Sequence, residues 1–252
     1  MISLNPSSNI ADTMSEYIPK GFHKGTTFSL ENKKVETIVS DKNPKERFQL
    51  RNRSFEAIDK TFSGMLSEAI KFFLESYNKP VTVVDIGGGT EARAINELKA
   101  KYKKYESRLN CVGIDFVIDT DDPRGKLIGD ILSLPIIANS VDVAYSRQSL
   151  TLIGESNRDK FDAGLTEIAR VLKPGGVAFV DKEYWSSLPQ NDPELTKLQK
   201  KLAVRFSSGE FGVSFLEKLC RVLEGDNPVR FVVMLKNPVN QLLIDWLGLS
   251  AE

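Results

Sequence analysis

One short stretch restricts the chain more than any other: Val81-Thr82-Val83-Val84-Asp85-Ile86-Gly87-Gly88-Gly89-Thr90-Glu91. Val81 to Ile86 is rich in β-branched residues and can be buried on both faces, as an inner parallel strand requires. Three consecutive glycines follow, and glycine is entropically too costly to be spent in a strand interior. They predict a tight turn where backbone passes close to something else. From Thr90 the sequence reads as a helix start, with Thr90 as N-cap and Ala92, Ile95 and Leu98 at helical spacing. Strand, glycine turn and helix together aim free backbone N–H groups at a ligand beyond the carboxyl ends of the strands.

The residues alone leave two cofactor classes open. Gly87-x-Gly89-x-x-Ala92 fits a dinucleotide fingerprint ending in Ala, and Asp85-x-Gly87-x-Gly89 fits the first motif of S-adenosylmethionine enzymes. The rest of the chain has to choose between them.

From residue 81 strands and helices alternate. Strands are predicted at 81–86, 109–116, 126–129, 141–146 and 177–180, with helices at 90–105 and 157–172, the latter ended by Lys173-Pro174-Gly175-Gly176. This is the pattern of a parallel sheet covered on both faces. Further on, 192–206 and 213–223 read as helices, 229–235 as a single good strand, and 239–247 as a closing helix. Ahead of the sheet, 26–30 and 33–39 suit a hairpin around Glu31-Asn32. Pro44 then opens a long helical region that runs to Pro80. The fold class expected is α/β, a Rossmann-like doubly wound, mostly parallel sheet. An N-terminal arm and helical cap over 1–79 precede the main domain, 80–252.

Composition bounds what such a chain can do. Thirty-four basic and thirty-four acidic residues cancel in 252, which weighs against a broad nucleic-acid footprint. Lys42, Lys45, Arg47, Arg51 and Arg53 concentrate charge at the start of the helical region, and a solvated face accounts for them. The two cysteines, Cys111 and Cys220, sit in apolar segments and read as buried thiols of a reducing compartment, hence a cytoplasmic protein. With one histidine, His23, and no paired cysteines, no metal site is expected. No apolar run reaches membrane-spanning length.

Two aspartates suit a nucleoside. Asp115 ends the second strand of the alternating series, where a carboxylate can accept both hydroxyls of a ribose. Asp130 follows the third, placed to accept from an exocyclic adenine amine while the Ile131 backbone N–H meets a ring nitrogen; the plain alternative is a turn cap. Beyond the fifth strand, Asp181 or Glu183 could act as a base, though each reads first as a solvated loop acid, and Tyr184 and Trp185 read as substrate packing or core caps in equal measure.

In order along the chain stand Asp85-x-Gly87-x-Gly89, Gly113-x-Asp115, Gly129-Asp130-x-x-x-Leu134-Pro135, Val141-Asp142-Val143 and Glu167-Ile168-Ala169-Arg170-Val171-Leu172-Lys173-Pro174-Gly175-Gly176. Over about residues 80–185 this set resembles the class I S-adenosylmethionine-dependent methyltransferases, in particular those acting on small molecules, quinones and lipids. The resemblance implies S-adenosyl-L-methionine as cofactor. Asp85, Gly87, Gly88 and Gly89 would border its methionine part, Asp115 would hold its ribose and Asp130 its adenine, with Phe116, Ile131 and Ser146 also binding the cofactor. Ser146 and Arg147 would line the methyl-transfer face. Tyr145, Ser146 and Arg147 are the candidates for contact with the reacting atoms, and no catalytic residue is singled out. The expected acceptor is a small molecule, with a protein acceptor second. The sequence departs from the family pattern at Glu91, where a small residue is common, and at Thr151, where a histidine often follows the fourth strand. No Asn-Pro-Pro-Tyr or Asp-Pro-Pro-Tyr follows that strand, against the adenine-N6 and glutamine branches. These departures motivate the rival expectation of a cofactor-binding or regulatory protein without turnover.

Overall fold

Glu31 and Asn32 separate two β-prone triplets, and in the computed structural model the flanking residues pair as expected. The structure describes residues 22–24, 28–30, 33–35, 38–40, 47–48, 53–89, 92–115, 125–147, 149–150, 158–181, 213–221 and 228–249. Among them, β2 (Phe28–Leu30) and β3 (Lys33–Val35) form the hairpin. β1 (Phe22–Lys24), β4 (Ile38–Ser40) and β5 (Arg47–Phe48) form a three-stranded sheet with β4 in the middle.

The long helical region expected from Pro44 is therefore corrected at both its start and its middle. Arg47–Phe48 is strand, and the helix begins only at Ser54, whose side chain accepts the Ala57 N–H of α1 (Phe55–Thr61) at 3.2 Å. Ser63 at φ 56° and Gly64 at φ 77° then break the chain before α2 (Met65–Ser76). The left-handed pair lets two short helices turn their apolar stripes onto the sheet separately. Phe62, fully buried at the break, packs on Phe179 and Phe231 with ring centroids 5.6 and 5.5 Å apart.

β6 (Val81–Ile86) is buried along its whole length, as its β-branched composition predicts. It is followed by α3 (Arg93–Lys101), a 3-10 turn (Lys103–Tyr105), β7 (Leu109–Asp115), β8 (Lys126–Ile128) and β9 (Val141–Ser146). Next come α4 (Arg158–Val171) and β10 (Leu172–Asp181), then β11 (Val213–Arg221), β12 (Pro228–Lys236) and α5 (Gln241–Trp246). One seven-stranded sheet has the order β11-β12-β10-β9-β6-β7-β8. The pairs β8–β7, β7–β6, β6–β9 and β9–β10 are parallel, while β12 is antiparallel to both β10 and β11. This is the Rossmann-like, doubly wound arrangement.

The helix expected over 213–223 is the second correction. Those residues form β11, paired residue for residue with β12 from Val213↔Lys236 to Arg221↔Pro228. Val213, Phe215, Leu216, Leu219 and Cys220 satisfy a helical and a strand pattern equally, and pairing with the β-branched β12 decides the outcome. The sheet thus ends in two antiparallel strands where one was expected. The helix expected over 192–206 lies outside the described residues.

Two cores flank the sheet. One packs α1, α2, α3 and α5 against Val81, Val83, Cys111, Val143, Tyr145, Phe179, Phe231 and Val233. The other packs α4 against Val84, Ile86, Ile114, Ala144, Val180 and Met234. Asp142, of the Val141-Asp142-Val143 motif, is a fastener: its Oδ2 accepts the Thr82 N–H at 2.8 Å and the Lys173 Nζ at 2.6 Å, joining β6, β9 and the start of β10. A Cβ on Gly176 would lie 2.9–3.0 Å from the carbonyl oxygens of Lys173, Val141 and Asp142, so this glycine is required by backbone approach.

Candidate functional site

The order of strands reverses at β6: β7 and β8 lie to one side, β9 and β10 to the other. The carboxyl ends of β6 and β9 therefore border the crevice where an open α/β sheet binds ligands. At that border the register partners are Asp85↔Tyr145 and Ile86↔Ser146. Alternation sends each partner pair to a different face.

The glycine turn is folded as its sequence predicts. Gly87 and Gly89 have φ of 85° and 75°, a backbone that side chains rarely adopt. A Cβ on Gly87 would fall 1.5 Å from Ser149 Oγ, and one on Gly88 2.8 Å from Asp85 Oδ2. The turn is held from below by Gly87 N–H to Ile114 O at 2.7 Å and from the side by Gly89 N–H to Asp115 Oδ2 at 2.8 Å. Asp115 is thus tied to the turn itself. The helix start differs from expectation: α3 begins at Arg93, and its N-cap position is Ala92, at φ 47° with no side-chain cap. Gly113 makes this possible, because a Cβ there would meet Ala92 Cβ at 2.9 Å. Thr90, Glu91, Phe116, Gln148, Thr151, Glu183, Tyr184 and Trp185 lie outside the described residues.

Asp85 is fully buried directly beneath Gly88. Burial pushes its pKa from an ordinary 3.8 up to about 7; the Tyr145 hydroxyl opposes this, the Asp115 carboxylate adds to it, and Arg53 opposes it. Tyr145 lies near enough to favour the charged form, yet neither its hydroxyl nor Asp85 Oδ2 completes a hydrogen bond within the protein. Burial, with Asp85 second, raises the Tyr145 phenol well above its usual range. Ser146 Oγ, buried on the opposite face, is also without a partner. Buried polar atoms are rarely left so.

Arg147, just past β9, is bound on two sides. It ion-pairs with the fully buried Asp181 at the end of β10, and its Nε donates to Thr61 Oγ1 of α1 at 3.2 Å. The reading of Asp181 as a solvated loop acid is corrected: it is a strand residue enclosed with its guanidinium, and the parallel pairing of β9 and β10 brings the two together. Arg53 reaches the same place, its Nη1 donating to Arg147 O at 3.5 Å. A solvated face does not describe Arg53. Nothing local in the sequence marks Thr61 and Arg53, since their contacts cross 86 and 94 residues.

Asp130 stands at the start of the next loop, where its Oδ1 accepts the Leu132 N–H at 2.8 Å, an Asx turn. Ile131 is buried against α4. That loop is clamped from α4: Leu134 N–H donates to Glu167 Oε2 at 2.9 Å, and Arg170 donates to the carbonyls of Leu134 and Ile136, each at 2.9 Å. Glu167 and Arg170, quoted above only as part of a motif, set the position of the Asp130 loop. Among the described residues no three His, Cys, Asp or Glu side chains gather as for a metal, and no helix is long and apolar enough to cross a membrane.

Residues 73–180 match the family model described as a methyltransferase domain. The matched residues run from α2 to β10 and take in the parallel half of the Rossmann-like sheet. Several solved structures are similar. A Methanosarcina mazei S-adenosylmethionine-dependent methyltransferase has 18% identity and a TM-score of 0.41, over 64% of this chain and 95% of its own. The [4+2]-cyclase SpnF has 17% identity and a TM-score of 0.44, over 70% and 82%. Haemonchus contortus phosphoethanolamine N-methyltransferase 2 has 16% identity and a TM-score of 0.42, over 67% and 52%. Among curated proteins none is similar in sequence to this chain.

Proposed function

We propose that this protein transfers a methyl group from S-adenosyl-L-methionine to a small-molecule acceptor. The observation that carries the reading is the pair of buried polar atoms without partners, Asp85 Oδ2 and Ser146 Oγ, at a glycine turn on the switch point of the sheet. A side chain at Gly88 would press on Asp85 Oδ2, and one at Gly87 would collide with Ser149. Glycine cradle and orphaned acceptors fit the aminoacyl end of such a cofactor, and the methyltransferase domain match supports the same assignment. Asp85 and Gly87 to Gly89 would hold that end, Asp115 the ribose, and Asp130 with the Ile131 N–H the adenine.

When bound, the cofactor supplies an already activated methyl group on a sulfonium. The protein's contribution is then positioning and exclusion of water rather than covalent chemistry. Asp115 fixes the turn through Gly89. Arg147, locked between Asp181 and Thr61, holds α1 against the ends of β9 and β10. A protein acceptor is the second choice.

Isothermal titration with S-adenosylhomocysteine tests the cofactor assignment: saturable one-to-one binding supports it, and no heat at millimolar ligand removes it. Methyl-labelled cofactor incubated with metabolite extract, followed by mass spectrometry, then tests for turnover. Binding without any labelled product would favour the cofactor-binding, regulatory alternative.

A further inference from the structure

Asp85 and Tyr145 face each other across the two parallel strands at the switch point, both with essentially no solvent exposure. Each has a polar atom that finds no complete hydrogen bond. Asp85 Oδ2 lies against the Gly88 backbone, where a Cβ would sit 2.8 Å from it. The charged and titratable groups around the carboxyl come from three elements: the Tyr145 hydroxyl from β9, the Asp115 carboxylate from β7, and the Arg53 guanidinium ahead of α1. Asp115 is negative and Arg53 positive, and Asp115 has the larger effect of the two. A dry carboxylate that lacks its full set of donors is costly, and a proton removes the cost.

Resting on the cofactor reading above, we propose that Asp85 is a proton-linked counter-charge: it is protonated in the cofactor-free protein and releases that proton when the cationic sulfonium-and-ammonium ligand docks over Gly87 to Gly89. The Asp85 O–H bond breaks, the proton passes to bulk water, and the ligand's positive charge takes over its electrostatic role; no electrons are transferred. Tyr145 is the positioning residue. Its hydroxyl, which completes no hydrogen bond among the described residues, donates to the carboxylate once the proton has left. The two orphaned atoms thus complement each other in the bound state. Cofactor affinity consequently depends on pH through a group that need not touch the methyl group.

The experiment is isothermal titration of the full chain with S-adenosylmethionine near pH 7, in phosphate and in Tris, which differ in ionisation enthalpy. The difference in observed heat counts protons exchanged. With Asp85 at about 7, wild type should release about half a proton per ligand bound. Asp85→Asn should lose that release, and Tyr145→Phe should move the pH of greatest release upward. Below pH 6, wild-type affinity should fall up to about tenfold per pH unit. An equal proton count in wild type and Asp85→Asn overturns the proposal and leaves the cofactor reading standing. So does wild-type affinity that stays flat from pH 5.5 to 8, a readout that holds even if Asp85→Asn does not fold. A release curve unmoved in Tyr145→Phe overturns the role of Tyr145. No binding to wild type at any pH overturns the cofactor reading, and this proposal with it.

Discussion

The Gly89 backbone N–H and Asp115 Oδ2, 2.8 Å apart, fasten the glycine turn of one strand to the carboxyl end of its neighbour. A single carboxylate therefore shapes the turn and stands at the edge of the proposed ribose site. Asp115→Ala should weaken S-adenosylhomocysteine binding by about 1–3 kcal/mol, the range for losing hydrogen bonds to a charged group. Asp115→Asn, which keeps an acceptor for Gly89, should lose less. Calorimetric affinities of the three proteins check this, and equal affinity in Asp115→Ala would refute the assignment.

The turn tolerates no side chain. At Gly87 a Cβ would collide with Ser149, on a backbone at φ 85°, and at Gly88 it would press on Asp85. Gly87→Ala and Gly88→Ala should each cost about 1–3 kcal/mol of stability, as overpacking does. Gly87→Ala should be the worse, because backbone strain adds to the collision. Urea denaturation midpoints at constant m-value measure both.

Arg147 neutralises a carboxylate with no solvent access. Arg147→Ala takes the guanidinium from Asp181 and should destabilise by about 3–5 kcal/mol. The double variant Arg147→Ala/Asp181→Leu should recover a large part of that loss, since no buried charge is left behind. A double-mutant cycle in urea tests this. If the double variant is no more stable than Arg147→Ala, Asp181 is not the reason for the loss.

Asp85 makes stability fall with pH. A carboxyl whose pKa rises from 3.8 unfolded to about 7 folded binds more protons in the native state between those values. The contribution of Asp85 to stability is then greatest below pH 4, declines as pH rises toward 7, and levels off above it. Fully ionised, the group costs about 4 kcal/mol. Asp85→Asn should flatten this slope, so its advantage over wild type should grow between pH 5 and 8. Urea midpoints of both proteins at those two pH values decide it.

The parallel half of the sheet was legible because each strand there carries its own signal. Val81 to Ile86 and Val141 to Ser146 are buried on both faces, and their near-continuous apolar character says so without reference to partners. β11 was not legible, since its apolar residues fit both periods and only β12 distinguishes them. The glycine turn was readable for the same reason as the inner strands: its requirement is local. The helix start was misplaced by three residues because Ala92 depends on Gly113, in a different strand. Arg53, Thr61 and Asp181 could not be linked from sequence, because their common partner, Arg147, lies far from each along the chain. Asp85 reads as a motif residue, but its raised pKa comes from burial, with Tyr145, Asp115 and Arg53 acting on it from other parts of the chain.

The hairpin at the sheet's edge imposes an order of assembly. β11 precedes β12 in the chain, yet β12 is the strand that docks on β10, and β11 holds on only through it. During synthesis the residues up to Asp181 can build their parallel layers while β11 waits with no template to join. Only when Lys236 has emerged can both edge strands enter together, as one preformed unit. The hairpin therefore seals the flank of β10 as a unit.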